Sequence, residues 1–194
     1  KLRVGYSTGF RAPSMNELYF PNFGNPNLGP EKNQSMDAGI DQYFLSKQLK
    51  LSGGMFWNHY RNLIVTTFDP GFCAPFSTFG FCPQQVGEAS TKGWEAGLSY
   101  TYSSDRPFLK GVVVQAQYTN TITRDLGAHT RLPRWPTDQW SASVSYQPID
   151  PLWITVIGRY VGSRFNTTGD RQALPAFDVW SLAVTYDVTK QMQA

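Results

Sequence analysis

Alternation between apolar and polar residues is the feature that most restricts the fold of this chain. Successive side chains of a β-strand point to opposite faces, so a period of two predicts strands. The pattern begins with Leu2, Val4 and Tyr6 and returns in seven later segments. The later segments carry the apolar stripes Met36, Ala38, Ile40; Leu51, Met55, Trp57; Trp94, Ala96, Leu98; Val112, Val114, Ala116; Trp140, Ala142, Val144; Leu152, Ile154, Val156; and Trp180, Leu182, Val184. We therefore predict an all-β antiparallel protein with about eight consecutive strands.

The composition of the two strand faces favours a transmembrane β-barrel over a soluble β-sandwich. The polar face is small and uncharged in segments such as Ser141, Ser143 and Ser145, whereas the solvent face of a sandwich usually carries more lysine and glutamate. Aromatic residues end the apolar stripes, as Trp140 and Tyr146 do, which is the spacing of two membrane-interface girdles. Charged residues are only 16% of the chain, and no apolar run approaches the roughly 18 residues of a membrane helix.

The connections between the predicted strands alternate between long and short. The long loops are predicted at residues 10–34, 68–85, 124–137 and 164–174, and the short turns near residues 46, 105, 149 and 189. Transmembrane barrels have long extracellular loops and short periplasmic turns. We therefore expect the four long loops to be extracellular.

Charge and cysteine content limit the remaining function classes. The net charge of +3 and the absence of a long lysine or arginine run exclude an evident nucleic-acid patch. The two cysteines, Cys73 and Cys82, lie close together in a stretch rich in proline, glycine and phenylalanine. This spacing suggests a local disulfide formed in an oxidising compartment, with two free thiols as the alternative.

The loop at residues 9–37 carries a compound motif. Its elements are Arg11-Ala12-Pro13, Asn16-Glu17-Leu18-Tyr19, Asn25-Pro26-Asn27-Leu28 and Pro30-Glu31-Lys32. Together they resemble a loop of TonB-dependent outer-membrane receptors, which import vitamin B12, haem and ferric siderophores. Further segments that resemble the same family are Thr91-Lys92-Gly93-Trp94-Glu95, Leu132-Pro133-Arg134, Tyr160-Val161-Gly162-Ser163-Arg164-Phe165 and Leu174-Pro175-Ala176-Phe177.

The resemblance implies that residues 1–194 form a C-terminal segment of a 22-stranded barrel, at about the thirteenth to the twentieth strand. On this interpretation the plug domain, its TonB box and the last two strands lie outside the sequence. The implied function is active import of cobalamin, haem or a ferric siderophore across the outer membrane of a Gram-negative bacterium, powered through TonB. The cargo is then a metal chelate or macrocycle, no resident cofactor is implied, and the partners are TonB, outer-membrane lipid and lipopolysaccharide.

Two other classes stay open from the sequence. Since eight strands can close a barrel, a small passive or structural outer-membrane barrel is the first alternative. A soluble carbohydrate-binding β-domain is the second.

The residues give little support to an enzyme. Asp37, Asp41 and Glu95 are acids on polar strand faces, and we interpret them as lumen lining because no partner carboxylate is placed as a glycosidase needs. His59 shares the Trp57 face, and His129 lies in a loop, so nothing orients either one for nucleophilic catalysis. The two histidines and two cysteines lack the spacing of a metal site. We therefore predict neither a catalytic nor a metal site.

Candidate ligand contacts lie in the long loops. Arg11 either contacts an anionic ligand or pairs with Glu17 or Glu31 and fixes its loop. Arg124, Arg131 and Arg134 either attract an anionic chelate, bind lipopolysaccharide phosphate or are simply solvated, and His129 is a candidate contact to haem. The loop aromatics either form a vestibule for a large, partly apolar ligand or pack the loops together; they are Tyr19, Phe20, Phe23, Phe72, Phe76, Phe79 and Phe81.

Overall fold

The computed structural model describes residues 1–166, 173–189 and 192–193. The β-strands are β1 (Leu2–Arg11), β2 (Glu31–Phe44), β3 (Leu49–Phe68), β4 (Phe81–Arg106), β5 (Leu109–Asp125), β6 (Asp138–Ile149), β7 (Leu152–Val161), β8 (Arg164–Phe165), β9 (Ala173–Leu174), β10 (Phe177–Thr189) and β11 (Met192–Gln193). Two short α-helices, α1 (Met15–Tyr19) and α2 (Pro70–Cys73), lie in the first two long loops, and a 3₁₀ turn spans Leu45–Lys47.

The strands form one antiparallel meander in which each long strand pairs with the next in sequence. The sheet order is β1-β2-β3-β4-β5-β6-β7-β10-β11, and β8 and β9 form a separate two-stranded hairpin. The eight predicted strands are thereby confirmed as β1–β7 and β10. The sheet is open, with β1 and β11 at its edges.

The second long loop is shorter than the sequence predicted. The second long loop covers 69–80 rather than 68–85, because β4 begins at Phe81 and stays paired with β3. Pro83 lies in this added part of β4, and its carbonyl accepts a hydrogen bond from Asn25 in the first loop. The pairing of β4 with β5 begins only at Ala89, which lies opposite Asp125. Pro83 precedes that point, so its missing N–H removes no hydrogen bond to β5.

The first and third loops are also shorter than the predicted 10–34 and 124–137. The first loop covers 12–30, and the third covers 126–137. The predicted fourth loop at 164–174 contains the β8–β9 hairpin, and its residues 167–172 lie outside the described residues. The short turn predicted near 189 runs onto residues 190–191, which also lie outside them.

One face of the sheet is an exposed apolar wall. Val114 pairs with Val144, Val144 with Val156, and Val156 with Leu182, so their side chains share this face across four strands. Leu182 is 69% exposed and Val144 is 46% exposed. Apolar patches of this extent are foreign to the water-facing surface of a monomer and suit contact with lipid. We call this surface the outer wall.

Aromatic side chains mark one border of the apolar wall. Trp94 packs against Tyr118 with ring centroids 4.8 Å apart. Trp140 packs against both Tyr160, at 6.1 Å, and Trp180, at 6.0 Å. These contacts form an aromatic row at the long-loop end of the stripes, where the sequence predicted a girdle.

The opposite face is polar and holds compensated charges. Asp41 is buried and lies 3.6 Å from Arg3 and 3.5 Å from Lys50. A depression of about 500 Å³ on this face is lined by Ser52, Glu95, Gln115, Gln117, Ser141, Ser143 and Arg159, among others. This is the composition expected of a watery lumen.

The helices contribute no spanning element. Across residues 1–166, 173–189 and 192–193, no helix combines the length and hydropathy needed to cross a membrane.

A charge at the centre of the outer wall should be costly, whereas one on the polar face should be tolerated. Val144→Arg is expected to destabilise the full-length protein in a bilayer by about 2–4 kcal/mol, since arginine near the midplane must leave water. Ser143→Arg, its neighbour on the polar face, is the matched control. The folded fraction in outer-membrane preparations, measured as the heat-modifiable electrophoretic species, should fall for the first variant only. Equal folded fractions would contradict the assignment of the two faces.

Candidate functional site

The compound motif of the first loop forms a charged hydrogen-bond network around Arg11. Arg11 and Glu31 are cross-strand partners at the ends of β1 and β2. The Arg11 guanidinium donates two hydrogen bonds to Glu31, at 2.7 and 2.9 Å, and two to Glu17, both at 3.1 Å. Such bidentate pairs are the geometrically most specific ion pairs in proteins. Of the two alternatives for Arg11, the ion pair is therefore present, and contact with a ligand stays a prediction.

Both glutamates also satisfy backbone groups. Glu17 accepts a 2.7 Å hydrogen bond from the Ser14 amide, while the Ser14 hydroxyl accepts from the Glu17 amide, which is a capping box for α1. Glu31 accepts a 2.7 Å hydrogen bond from the Ile64 amide, at a point where β3 has outrun its pairing with β2. The network thus fixes the helix start and one strand edge at once.

The charges of the network reinforce one another. Hydrogen bonds to Glu31 and Glu17 raise the pKa of Arg11 well above its usual range. Burial of the Glu31 carboxyl favours its neutral form, but hydrogen bonds from Arg11 and the Ile64 amide outweigh burial and lower its pKa. Burial also favours the neutral form of Glu17, but hydrogen bonds from Arg11 and Ser14 outweigh burial and lower the pKa of Glu17. All three groups are therefore charged at neutral pH.

Amide side chains attach the first loop to the β3–β4 hairpin. Asn22 exchanges hydrogen bonds with Thr78, donating to its hydroxyl at 2.8 Å and accepting from its amide at 2.7 Å. Gln85 does the same with the backbone of Gly29, at 2.8 and 3.2 Å. Buried Asn25 donates to the Pro83 carbonyl at 3.1 Å. The first and second loops are therefore one folded unit.

The backbone of the first loop turns tightly at Gly24. A Cβ at this position would lie 2.7 Å from the carbonyl carbon and oxygen of Leu18 and from the amide nitrogen of Phe20. The Gly24 amide donates a 2.7 Å hydrogen bond to the Phe20 carbonyl. Glycine is thus required for the close approach that presents Phe20 and Phe23 on the same side.

The predicted disulfide closes the second loop. Cys73 and Cys82 are bonded and fully buried, with their Cα atoms 5.5 Å apart. Asp69 caps α2 by accepting from the Phe72 amide at 3.0 Å. Phe68 and Phe81 pack across the hairpin with ring centroids 4.8 Å apart. The loop is therefore held both covalently and by packing at the long-loop end of the sheet.

An open apolar depression of about 720 Å³ lies on the two joined loops, and we call it the aromatic depression. Its lining residues are Asn16, Phe20, Pro21, Asn22, Phe23, Ser77, Phe79 and Phe81. Phe20 and Phe23 meet edge to face at 6.3 Å, and Phe79 is 73% exposed. Exposed rings with a few amide and hydroxyl groups at the rim are suited to a large, partly apolar ligand.

Four of the seven loop aromatics named from the sequence, Phe20, Phe23, Phe79 and Phe81, line the aromatic depression, and Tyr19, Phe72 and Phe76 do not. Tyr19 ends α1 and is 63% exposed. Phe76 packs against Phe72 at 6.1 Å, away from the lining of the depression. Loop packing, one of the two alternatives of the sequence, is therefore present in part of these loops, and the vestibule for a ligand stays a prediction.

Three of the predicted cationic contacts, His129, Arg131 and Arg134, lie in the third loop, whereas Arg124 lies in β5. His129 is exposed at a positive φ of 57°. Arg131 donates to the Thr137 hydroxyl at 3.4 Å. Arg134 donates through Nε to Asn166 at 3.3 Å, and its amide donates to the Phe165 carbonyl, which links the third loop to the fourth. Their role in ligand binding stays a prediction.

The described residues contain no group of three or more histidine, cysteine, aspartate or glutamate side chains placed to hold a metal ion. Asp37 and Asp41 lie on the polar face, where Asp41 is ion-paired with Arg3 and Lys50. His59 stacks on Trp57 at 5.7 Å and lies 3.5 Å from Glu88.

The residues that join the loops were missed by sequence reasoning. Asn22 and Thr78, like Gly29 and Gln85, are 56 residues apart, and no local pattern connects them. Asn25 gave a partial signal, because Asn-Pro-Asn is a turn sequence and its side chain does accept from the Asn27 amide at 3.0 Å. The turn sequence did not predict the second hydrogen bond of Asn25, which goes to the Pro83 carbonyl.

The family model for "TonB dependent receptor-like, beta-barrel" matches residues 1–194, the whole of this chain. The chain belongs to the TonB-dependent receptor β-barrel family. Members of this family are transporters of the Gram-negative outer membrane. The resemblance carried by the compound motif is confirmed.

Two curated relatives are vitamin B12 transporters named BtuB. The protein from Vibrio vulnificus is 29% identical over 189 residues, which is 95% of this chain and 27% of the relative. The one from Photobacterium profundum is 25% identical over 194 residues, covering 99% of this chain and 30% of the relative. The chain thus spans less than a third of the length of these relatives.

Solved structures agree on the fold. The copper transporter OprC superposes with a TM-score of 0.74 at 19% identity, covering 97% of this chain and 29% of that one. The ferric enterobactin receptor PfeA of Pseudomonas aeruginosa gives 0.71 at 18% identity, covering 97% and 31%. The predicted receptor-barrel fold is therefore confirmed.

Removing Arg11 should loosen the first loop. In Arg11→Ala, Glu17 and Glu31 lose their shared cation, and we expect the free energy of local opening of residues 12–30 to fall by about 1 kcal/mol. This is the upper end of the range for exposed ion pairs, which applies because the Arg11 side chain is 48% exposed. Hydrogen exchange of the full-length protein in detergent measures the change. Arg106→Ala, at the short-turn end, is the control, and unchanged protection of residues 12–30 would contradict the role of the network.

Acid should open the same loop. Since the folded-state pKa values of Glu17 and Glu31 are lowered, their stabilisation is complete above the ordinary glutamate pKa of 4.5 and is lost as the pH falls through the lowered values. Protease sensitivity of residues 12–30 should therefore rise only well into the acid range. In Glu31→Gln this acid transition should be weakened and sensitivity at neutral pH raised. A transition centred near pH 7 would exclude these carboxyls as its cause.

Proposed function

We propose that this chain is the C-terminal part of an outer-membrane receptor barrel that imports a scarce nutrient, with cobalamin as the first candidate cargo. On this proposal its long strands are about the thirteenth to the twentieth of 22. The plug with its TonB box, and the last two strands, belong to other parts of the protein. TonB supplies the energy, and the chain performs no chemistry on its cargo.

The observation that carries the proposal is the aromatic depression at the long-loop end of a TonB-dependent receptor sheet. Its volume of about 720 Å³ is in the range of small-molecule sites. A cobalamin combines an apolar macrocycle edge with many amide groups. Phenylalanine rings can cover the apolar part, while Asn16 and Asn22 at the rim can exchange hydrogen bonds with the amides.

The position of the depression also suits uptake. It lies on loops that the Arg11 network, the amide pairs and the disulfide hold together, so little ordering entropy is lost when a ligand binds. The polar face of the same sheet, with Ser52, Gln115 and Ser143, then provides a hydrated wall past which a polar cargo moves.

We choose cobalamin over ferric siderophores and haem as the candidate cargo because of the two curated relatives. The two relatives described above are vitamin B12 transporters at 29% and 25% identity. The siderophore and copper receptors among the structural neighbours match at lower identity and support the fold alone.

Truncating the depression should weaken cargo binding. Phe20→Ala and Phe79→Ala in the full-length receptor should each weaken cobalamin binding by about tenfold, the usual effect of losing a buried aromatic contact. Phe72→Ala removes an aromatic from the same loops but outside the lining, and should leave affinity within about twofold. Equilibrium binding of cobalamin, a ferric siderophore and haem in detergent would be compared. If only the ferric siderophore binds, the siderophore replaces cobalamin as the proposed cargo. If none of the three ligands binds, the importer proposal is overturned.

A further inference from the structure

The aromatic depression is built from two separate stretches of the chain. Five of its lining residues lie between residues 16 and 23 of the first loop, and three lie between residues 77 and 81, in the second loop and at the start of β4. We call these two stretches the first wall and the second wall. The shape of the depression therefore depends on how the two walls are placed relative to each other.

Each wall is ordered within its own loop. In the first wall, the Phe23 amide donates a 3.2 Å hydrogen bond to the Phe20 carbonyl. In the second wall, the Ser77 amide donates to the Cys73 carbonyl at 2.8 Å, and Cys73 is covalently bonded to Cys82. Ser77 is only 5% exposed. Any change in the shape of the depression is therefore expected to come from movement between the walls.

Side-chain hydrogen bonds join the two loops at two levels, and the lower level is the stronger one. At this base, Asn25 donates to the Pro83 carbonyl, and Gln85 exchanges hydrogen bonds with the backbone of Gly29. Asn25 is 3% exposed, and both Pro83 and Gln85 belong to the part of β4 that pairs with β3. The base is thus shielded from water and attached to the sheet.

The upper level is the Asn22–Thr78 pair, at the edge of the depression. Oδ1 of Asn22 accepts from the Thr78 amide at 2.7 Å and from the Thr78 hydroxyl at 3.1 Å, and Nδ2 donates to that hydroxyl at 2.8 Å. Both residues are exposed, and Thr78 lies outside the strands, between the lining residues Ser77 and Phe79. Because water competes for exposed hydrogen bonds, this pair opens more easily than the base.

We propose that Asn22 and Thr78 are positioning residues of the cargo site: their hydrogen bonds form a latch that sets the second wall against the first, and bound cargo keeps the latch closed. A cargo that touches both walls makes all of its contacts only in the latched state, so binding shifts the equilibrium toward that state. By linkage, closing the latch strengthens cargo binding by the same factor. This inference rests on the proposed cargo site and adds the residues that control it.

The first test uses wild type alone, because the Thr78 amide reports on the latch directly. This amide donates to Asn22, so its exchange with solvent requires the latch to open. Hydrogen exchange would be measured at single-residue resolution on the full-length receptor in detergent, with and without cobalamin. Cobalamin should slow exchange of the Thr78 amide by at least about fivefold, which is the contribution of about one hydrogen bond. The Gly29 amide, bonded to Gln85 at the base, is the internal reference and should slow less.

The second test breaks the latch without touching the lining of the depression. Thr78→Val keeps the shape of the side chain but removes its hydroxyl, and Thr78 is not among the lining residues. Cobalamin binding should still weaken by about fivefold, mainly through faster dissociation. Thr78→Ser keeps the hydroxyl and should stay within about twofold of wild type. Thr66→Val, the same change at an exposed threonine of β3, is the matched control and should change neither affinity nor Thr78 exchange.

A double variant separates a shared latch from two independent contacts. Asn22→Gly removes the whole side chain, and glycine suits the positive φ of 58° at this position. Alone, it should weaken cobalamin binding at least as much as Thr78→Val does. Adding Thr78→Val to Asn22→Gly should cause little further loss, because both changes break the same hydrogen bonds.

Three results would overturn the latch: no selective protection of the Thr78 amide by cobalamin, wild-type affinity in Thr78→Val, or additive losses in the double variant. Heat-modifiability verifies the fold of every variant, and the wild-type exchange measurement needs no variant. If Phe20→Ala and Phe79→Ala weaken binding but Thr78→Val does not, the cargo site stands and only the latch fails. If wild type binds a ferric siderophore or haem instead, that ligand replaces cobalamin in each measurement. If it binds none of the three, both proposals fail.

Discussion

A bilayer offers no hydrogen-bond partner to a peptide group, and this constraint governs the structure. Every strand that crosses must pair with its neighbours, so the chain forms one antiparallel ladder with consecutive strands adjacent. Pairing fixes the register, and the register fixes which side chains meet lipid. Val114, Val144, Val156 and Leu182 share one face for this reason, while Gln115 and Ser143 share the other. The apolar wall and the polar wall are two consequences of a single backbone requirement.

Above the membrane, side chains supply some of the hydrogen-bond partners that the backbone groups of the strands need. Where β3 outruns β2, the Glu31 carboxylate replaces a strand partner and accepts from the Ile64 amide. Where β4 extends past its pairing with β5, Asn25 donates to the Pro83 carbonyl. These bonds would be weak in isolation, but Arg11, the Asn22–Thr78 pair and the disulfide act on the same two loops. Ordered loops at this end can therefore hold a depression without an independent core.

The sequence predicts the strands well because their pattern is local. Alternation with period two identifies eight segments, and prolines and glycines identify the turns between them. It predicts the loop contacts poorly because those contacts are not local. Asn22 and Thr78, or Gly29 and Gln85, are ordinary loop residues until β2, β3 and β4 are aligned. The start of β4 was misplaced for a related reason: its first residues, from Phe81 to Val86, pair with β3 alone, and no local pattern shows that pairing. Arg11 is an intermediate case. The sequence named Glu17 and Glu31 as its candidate partners, but it did not predict that Arg11 binds both at once.

The ends of β1, β2 and β3 carry different kinds of side chains on the two faces of the sheet. Arg11 and Glu31 form an ion pair on one face, and their sequence neighbours Phe10 and Lys32 lie on the other, beside Arg61. A shift of one residue in register would exchange the two faces and move every charge to the wrong side. The Arg11–Glu31 pair opposes such a shift, because its bidentate geometry is satisfied only when those residues are directly opposite. The ion pair that orders the first loop thereby also fixes the cations of the outer wall.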